Sequence, residues 1–335
     1  MDLINIKPHR ISYGVEGKHF LFYGPPSTRK TTVAMNFPNS LLLATEIGYQ
    51  FIDGVRAVNI DSWYTFTQIV RDLKKQENKD AFDTIVIDTV GLLSDMCIKF
   101  ICDKLNIDDL SGAGFGKGWT EYRKEFSRQI NLIAQYGYGI VFIDHSKEER
   151  NDEGKPLSAK PKMDNTSSSI INALVDFTFF LNKENSPEDG SVTVIAYTDL
   201  PSNIVTKSRA RNMPKRFEFN FENLEKELKN AVMIQAKEQN IEIDEDELAV
   251  SHKPLIPLGD PRSIEEIKDS IIVMGPQLVE LGYQDRLQTI LSNALGTVKL
   301  AQAQEVHKDQ LLAIEQELRD LVEESDEQGD TGQPL

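Results

Sequence analysis

Cysteine is scarce: Cys97 and Cys102 are the only two in 335 residues. They stand five apart on one predicted helix, a spacing that suits neither a redox pair nor a zinc site, and the expectation is two inert thiols in a reducing cytosol. The five histidines form no metal-ligand pair. No apolar run approaches the length of a membrane span, and Met1–Lys18 contains no apolar stretch of the secretory type. No membrane partner and a cytoplasmic location are therefore expected. Positive charge is also short. Lysine and arginine number 37 against 53 acids, a net charge of −16, which argues against a generally sticky nucleic-acid binder. Glu323, Glu324, Asp326, Glu327 and Asp330 carry part of that excess with no basic residue among them. The reading there is a disordered acidic tail over 323–335.

What is present is a mixed α/β texture. His19–Tyr23, Ser40–Ala44, Asp83–Asp88 and Gly139–His145 are short apolar runs, the third of them β-branched. Helical periodicity separates them over 63–75, 92–105 and 120–135. Strands apolar on both faces that alternate with helices predict a mostly parallel twisted sheet covered by helices. Val175–Leu181 and Ser191–Tyr197 read as antiparallel edge strands across a turn at 185–190, with a further strand at Phe217–Phe219 and a helix from Phe221 to Gln239. Residues 147–169 read as a long polar loop. A first domain (1–240), an acidic linker (241–260) and a helical C-terminal module (261–322) precede the tail.

One segment carries the chemistry. Gly24-Pro25-Pro26-Ser27-Thr28-Arg29-Lys30-Thr31-Thr32 follows the first strand and opens a helix expected to reach about Phe37. This is nearly the phosphate-binding P-loop, G-x-x-x-x-G-K-[ST], whose backbone N–H groups cradle nucleotide phosphates. Lys30 would reach the terminal phosphates and Thr31 would hold Mg²⁺. Arg29 departs from the pattern, standing where glycine supplies backbone freedom.

Three strand ends extend the site. Asp88 closes the Ile85–Ile87 run, as an Mg²⁺-holding carboxylate does in a P-loop ATPase, although apolar runs ending in Asp are common. Glu46 follows the Leu41–Leu43 strand, either as a base for the attacking water or as a solvated or capping residue. His145 follows Gly139–Asp144, as a phosphate sensor or a structural histidine. Farther on, Lys207 and Arg209 would point the same way from an extended segment, suiting a phosphate or a solvated basic edge. The loops 108–119 and 147–169 are candidates to grip single-stranded DNA; the first joins Phe115, Lys117 and Trp119 among glycines.

With these pieces in order, roughly residues 15–235 resemble the RecA-like P-loop ATPases, and within them the small phage-encoded members used in recombination and single-strand handling. The resemblance rests on Tyr23–Thr32, Leu41–Gly48, Thr84–Thr89, Ile140–Lys147 and Thr206–Arg211. It implies ATP and Mg²⁺ as cofactors, Glu46 activating water, Asp88 holding the metal and His145 sensing phosphate. It also implies Lys207 and Arg209 reaching into the next subunit's site in a ring or filament. Single-stranded DNA is the implied partner, with a single-strand-binding or replication protein as another, in the host cytoplasm if the chain is phage-encoded. Two other readings fit the same residues: a nucleotide-dependent loader or switch that binds a replication protein, and a non-hydrolysing P-loop interaction subunit.

Overall fold

The computed structural model describes residues 11–152, 156–185, 190–201, 203–240, 262–295, 299–304 and 307–329. The chain divides into two compact units, Met1–Ile256 and Pro257–Leu335. The acidic linker expected over 241–260 lies outside the described residues.

The first unit is built on a ten-stranded sheet. Its parallel part comprises β1 (His19–Gly24), β2 (Ser40–Ala44), β3 (Ala57–Asn59), β4 (Thr84–Asp88), β5 (Gly139–Arg150) and β7 (Phe177–Asn185). β8 (Val192–Tyr197) and β10 (Arg216–Glu218) continue it antiparallel, giving the order β10-β8-β7-β1-β5-β4-β2-β3. β6 (Pro156–Pro161) pairs with the outer part of β5, and β9 (Lys207–Ser208) with the start of β7.

Residue alternation along β1 sorts the core into two layers. Phe20 and Phe22 face α1 (Lys30–Ala34) and α7 (Phe221–Glu238), where Phe37, Phe179, Phe219, Leu224 and Leu228 complete a buried cluster. Phe20 and Phe177 stack with ring centroids 5.0 Å apart. Leu21 faces the other layer, made by α2 (Trp63–Asp72), α4 (Val90–Leu105), α5 (Lys117–Gln135) and α6 (Asn165–Leu174). Each buried phenylalanine contributes about 2–3 kcal/mol through area removed from water. A short α3 (Gln76–Ala81) leads into β4. The helices start on sequence-encoded caps: Ser62 accepts from Thr65 N–H, Asp164 from Thr166 and Ser167, and Asn220 from Asn223. Cys97 and Cys102 lie buried and unbridged on α4.

Three expectations change. Residues 147–169 are not a structureless loop: β5 continues to Arg150 and returns as β6, and α6 follows at Asn165. Buried Ala159 on one face and exposed Lys147 and Lys160 on the other supply a strand alternation that the charges conceal. The P-loop helix stops at Ala34, well short of Phe37. Pro38 follows closely and disfavours helical backbone in the residue before it. The last helix runs to Gly329, beyond the expected boundary at 322.

The second unit has α8 (Ile264–Glu280), α9 (Gln284–Leu295) and α10 (Lys308–Gly329). Ser263 and Glu266 form a capping box at the start of α8. Ile267, Ile271, Leu278, Leu311, Ile314, Leu318 and Leu321 are buried together, whereas Ile272, expected on the same face, is 57% exposed. Buried Glu315 takes Arg262, Ser270 and Arg319, and these partners hold its carboxyl down at about 2, the Arg262 hydrogen bonds most of all. No helix among the described residues is long and apolar enough to cross a membrane.

Candidate nucleotide site

β1, β2, β4 and β5 are parallel and in register, so their carboxyl ends share one edge. Tyr23 lies beside Asp144, Gly24 beside His145, and Ala44 beside Asp88. Topology alone therefore gathers the loop after β1, the residues after β2, the tip of β4 and residues 144–145 of β5, the place where open α/β sheets bind ligands.

Gly24 begins the phosphate loop because no side chain fits there: a Cβ would lie 2.3 Å from the Leu181 carbonyl oxygen. The Lys30 ammonium is buried inside the loop, donating to the carbonyls of Gly24 and Pro25 at 2.9 Å and to Thr28 Oγ1 at 3.2 Å. Burial pulls its pKa down to about 8, against the upward pull of Asp88, Asp144, Glu46 and Glu148. Thr28 is itself held by the Pro25 carbonyl.

Arg29 adopts φ 57°, ψ 22°, the left-handed conformation that glycine provides in the motif, and its side chain is exposed. The departure in sequence thus places a strained arginine where the motif has glycine, in a conformation that glycine adopts freely. Arg29→Gly is expected to stabilise the fold by about 1 kcal/mol, the usual cost of a side chain in that conformation. Urea unfolding of the two proteins checks this; equal midpoints would show that the loop relaxes around arginine.

The Thr31 hydroxyl donates to Asp88 Oδ2 at 2.6 Å. Burial raises the Asp88 carboxyl, offset by the Thr31 hydrogen bond, with Glu46 adding to the rise and Lys30 and His145 opposing it. A hydroxyl and a carboxylate held together at a phosphate loop are the donor set for Mg²⁺ beside nucleotide phosphates. Among the described residues, no group of three His, Cys, Asp or Glu is placed to hold a metal by itself. Glu46, 41% exposed at its side chain, lies with Oε1 3.4 Å from His145 Nε2. The other ring nitrogen, Nδ1, is buried without a hydrogen-bond partner.

Sequence reading passed over Asp144. It ends an apolar run just as Asp88 does, and that shared signal was available. Only 1% exposed, it accepts from Met163 N–H at 2.7 Å. Burial pushes its carboxyl up to about 6, against the N–H groups of Met163, His145 and Lys162 that favour the anion. The folded value exceeds the unfolded one, so the folded protein holds the extra proton between about pH 4 and 6. Stability is lost as pH rises through that window. Asp144→Asn is expected to be more stable than the parent by roughly 2–3 kcal/mol at pH 7.5. The difference should vanish near pH 4, read by urea unfolding at both values.

Lys207 and Arg209 are not in this cluster. β9 pairs with the beginning of β7, beside Phe20 rather than Gly24, about 13 Å along the strand from the loop. Lys207 Nζ donates to the carbonyls of Asn172 and Val175 at 2.5 and 2.7 Å. Arg209 pairs with Asp176 at 2.8 Å and donates to Ala173 O at 3.2 Å. The two cations do point the same way, onto the end of α6. The other candidate segment, 108–119, is a short 3₁₀ turn (Leu110–Ala113) leading into α5. With Asp95 and Asp103 of α4, its Asp108 and Asp109 line a cavity that reaches Trp119, and those surroundings disfavour a phosphate backbone.

A phosphate loop, a threonine–carboxylate pair and a strand-end glutamate on the carboxyl edge of a parallel sheet define a P-loop NTPase. Residues 16–210 match the AAA domain family, and the chain belongs to it. It is also 25% identical over 336 residues to the SPbeta prophage-derived uncharacterized protein YorG of Bacillus subtilis (strain 168). That alignment covers 97% of this chain and 99% of the relative.

Proposed function

We propose that the chain binds ATP with Mg²⁺ in the loop Gly24–Thr32 and hydrolyses it in the manner of the RecA-like ATPases, acting on single-stranded DNA in phage recombination or strand annealing. The observation that carries the nucleotide reading is the 2.6 Å contact between Thr31 and Asp88, one residue from the buried Lys30 ammonium. Thr31 and Asp88 would hold Mg²⁺, which when bound neutralises charge on the phosphate oxygens. Lys30 leaves the loop carbonyls for the phosphates and carries their negative charge. Glu46 accepts a proton from the attacking water, and His145, within reach of Glu46, fixes the orientation of that carboxylate. The similarity to a prophage-derived protein supports the phage setting.

Support for DNA comes from the β5–β6 hairpin. Lys147 and Lys160 are directly opposed across it and both are exposed. Like charges at that position repel, so a phosphate group is their natural counterpart. The position of Lys207 and Arg209, at the sheet end away from their own loop, suits delivery to a second copy of the chain in a ring or filament. The acidic cavity at 95–119 supports a different reading, a switch that docks a basic segment of a replication protein.

Phosphate release with and without an oligonucleotide tests the proposal, together with oligonucleotide binding across a salt series. DNA-stimulated turnover and a salt slope reduced by about 1.4 in a Lys147→Ala/Lys160→Ala variant are expected. Turnover indifferent to DNA would transfer the reading to the switch, and no turnover would sink the ATPase.

A further inference from the structure

Asp144 and His145 sit side by side midway along β5, where its pairing with β1 ends, and face opposite sides of the sheet. His145 looks toward Glu46. Asp144 goes to the other face, where Oδ2 takes Met163 N–H and Oδ1 lies over Gly91, so close that a Cβ there would come within 2.8 Å. Lys162 N–H donates to the His145 carbonyl at 2.8 Å. The middle of β5 is thereby tied twice to residues 162 and 163.

The next residue, Asp164, is the N-cap of α6. Besides the N–H groups of Thr166 and Ser167 it takes the Tyr122 hydroxyl at 2.5 Å and the Ser167 hydroxyl at 2.6 Å. α6 is ten residues long, about 15 Å. Ser167 and Ile171 are its buried residues, with Ile170 and Leu174 packed partly against the core, so the hold on its two ends adds to a modest packing face in setting its position. Its far end is the set of carbonyls, with Asp176, that grips Lys207 and Arg209. One short helix thus joins the stretch of β5 that carries His145 to the two cations farther along the sheet.

We infer that Asp144 is a positioning residue: it fixes His145 beside Glu46 and, through Met163 and α6, sets the place of Lys207 and Arg209. The inference rests on the ATPase reading for its link to turnover, but the mechanical connection stands on the contacts alone. Asparagine at 144 keeps the size and one acceptor for Met163 N–H, whereas alanine removes the tie.

The test uses the full chain with Asp144→Ala and Asp144→Asn. Two readouts are taken: ATP turnover beside nucleotide affinity, and trypsin cleavage after Lys207 and Arg209 without nucleotide. Alanine is expected to lower kcat by about tenfold or more, on the scale of a small misplacement at a reacting centre, with affinity unchanged within about twofold. It should speed cleavage at both cations severalfold, and asparagine should restore both readouts. Unchanged cleavage in the alanine variant overturns the coupling. So does a parallel fall in affinity and rate, or a failure of asparagine to rescue. A parent protein without turnover would defeat the ATPase reading, and the cleavage pattern would still decide the connection.

Discussion

Replacing Glu46 with glutamine is expected to cut ATP turnover by about 10²–10³-fold while nucleotide stays bound, the scale of losing a positioned general base. Glutamine has nearly the same shape and still offers an oxygen to His145 Nε2, which lies 3.4 Å from Oε1 in the parent. Only the capacity to take a proton is lost. Glu46 follows a fully buried strand, Ser40–Ala44, so its backbone is fixed while its side chain reaches solvent at the sheet edge. The expected signature is a collapse of kcat with an unchanged affinity for a fluorescent ATP analogue. A rate within threefold of the parent would assign Glu46 to solvation and leave the water to another group.

The second large effect belongs to Lys30. Lys30→Ala is expected to weaken ATP binding by about 100-fold or more, since charge-assisted hydrogen bonds to phosphate contribute about 1.5–3 kcal/mol each. The fold should tolerate the change, because the ammonium's partners are loop carbonyls and Thr28, at the surface of the core. The lowered pKa of about 8 gives a further check with a definite sign. Phosphates favour the charged amine, so binding above pH 8 must take up a proton, and affinity should fall as pH rises past that value. Calorimetry in buffers of different ionisation enthalpy measures the proton directly. Affinity that is flat from pH 7 to 9.5 in the parent, or unaltered in Lys30→Ala, would place the phosphates elsewhere.

Much of this arrangement was legible because burial writes itself into sequence. β1, β2, β4 and the first half of β5 are covered on both faces, so they appear as unbroken apolar runs; the ends of β1, β2 and β4 fall within a residue of expectation, whereas β5 runs five residues past His145. Gly24–Thr32, Glu46, Asp88 and His145 converge because each follows a parallel strand at the same edge, a consequence of topology rather than of any local signal. The β5–β6 hairpin was hidden because its solvent face is charged and its partner is the strand itself. Asp144 was hidden because its task is to hold backbone, which leaves no motif. The distance of Lys207 and Arg209 from the loop follows from β9 pairing with the beginning of β7, and register of that kind is decided by tertiary contacts. Nor did the sequence reveal that Arg29 would accept a glycine's backbone conformation.

The position of β1 also orders events during synthesis. Its neighbours in the sheet are β5 and β7, and the His19 N–H is paired with Asp176, 157 residues later. A ribosome adding about 5–20 residues per second needs roughly ten to thirty seconds to make that stretch. Until β5 emerges Phe20, Leu21 and Phe22 have no sheet to enter, and until β7 follows they lack Phe177 and Phe179, and Gly24 has no Leu181 to rest against. The nascent chain therefore carries a sticky aromatic strand near its amino end until more than half of the protein has emerged. Truncations that end before β7 should yield insoluble product rather than a smaller working domain.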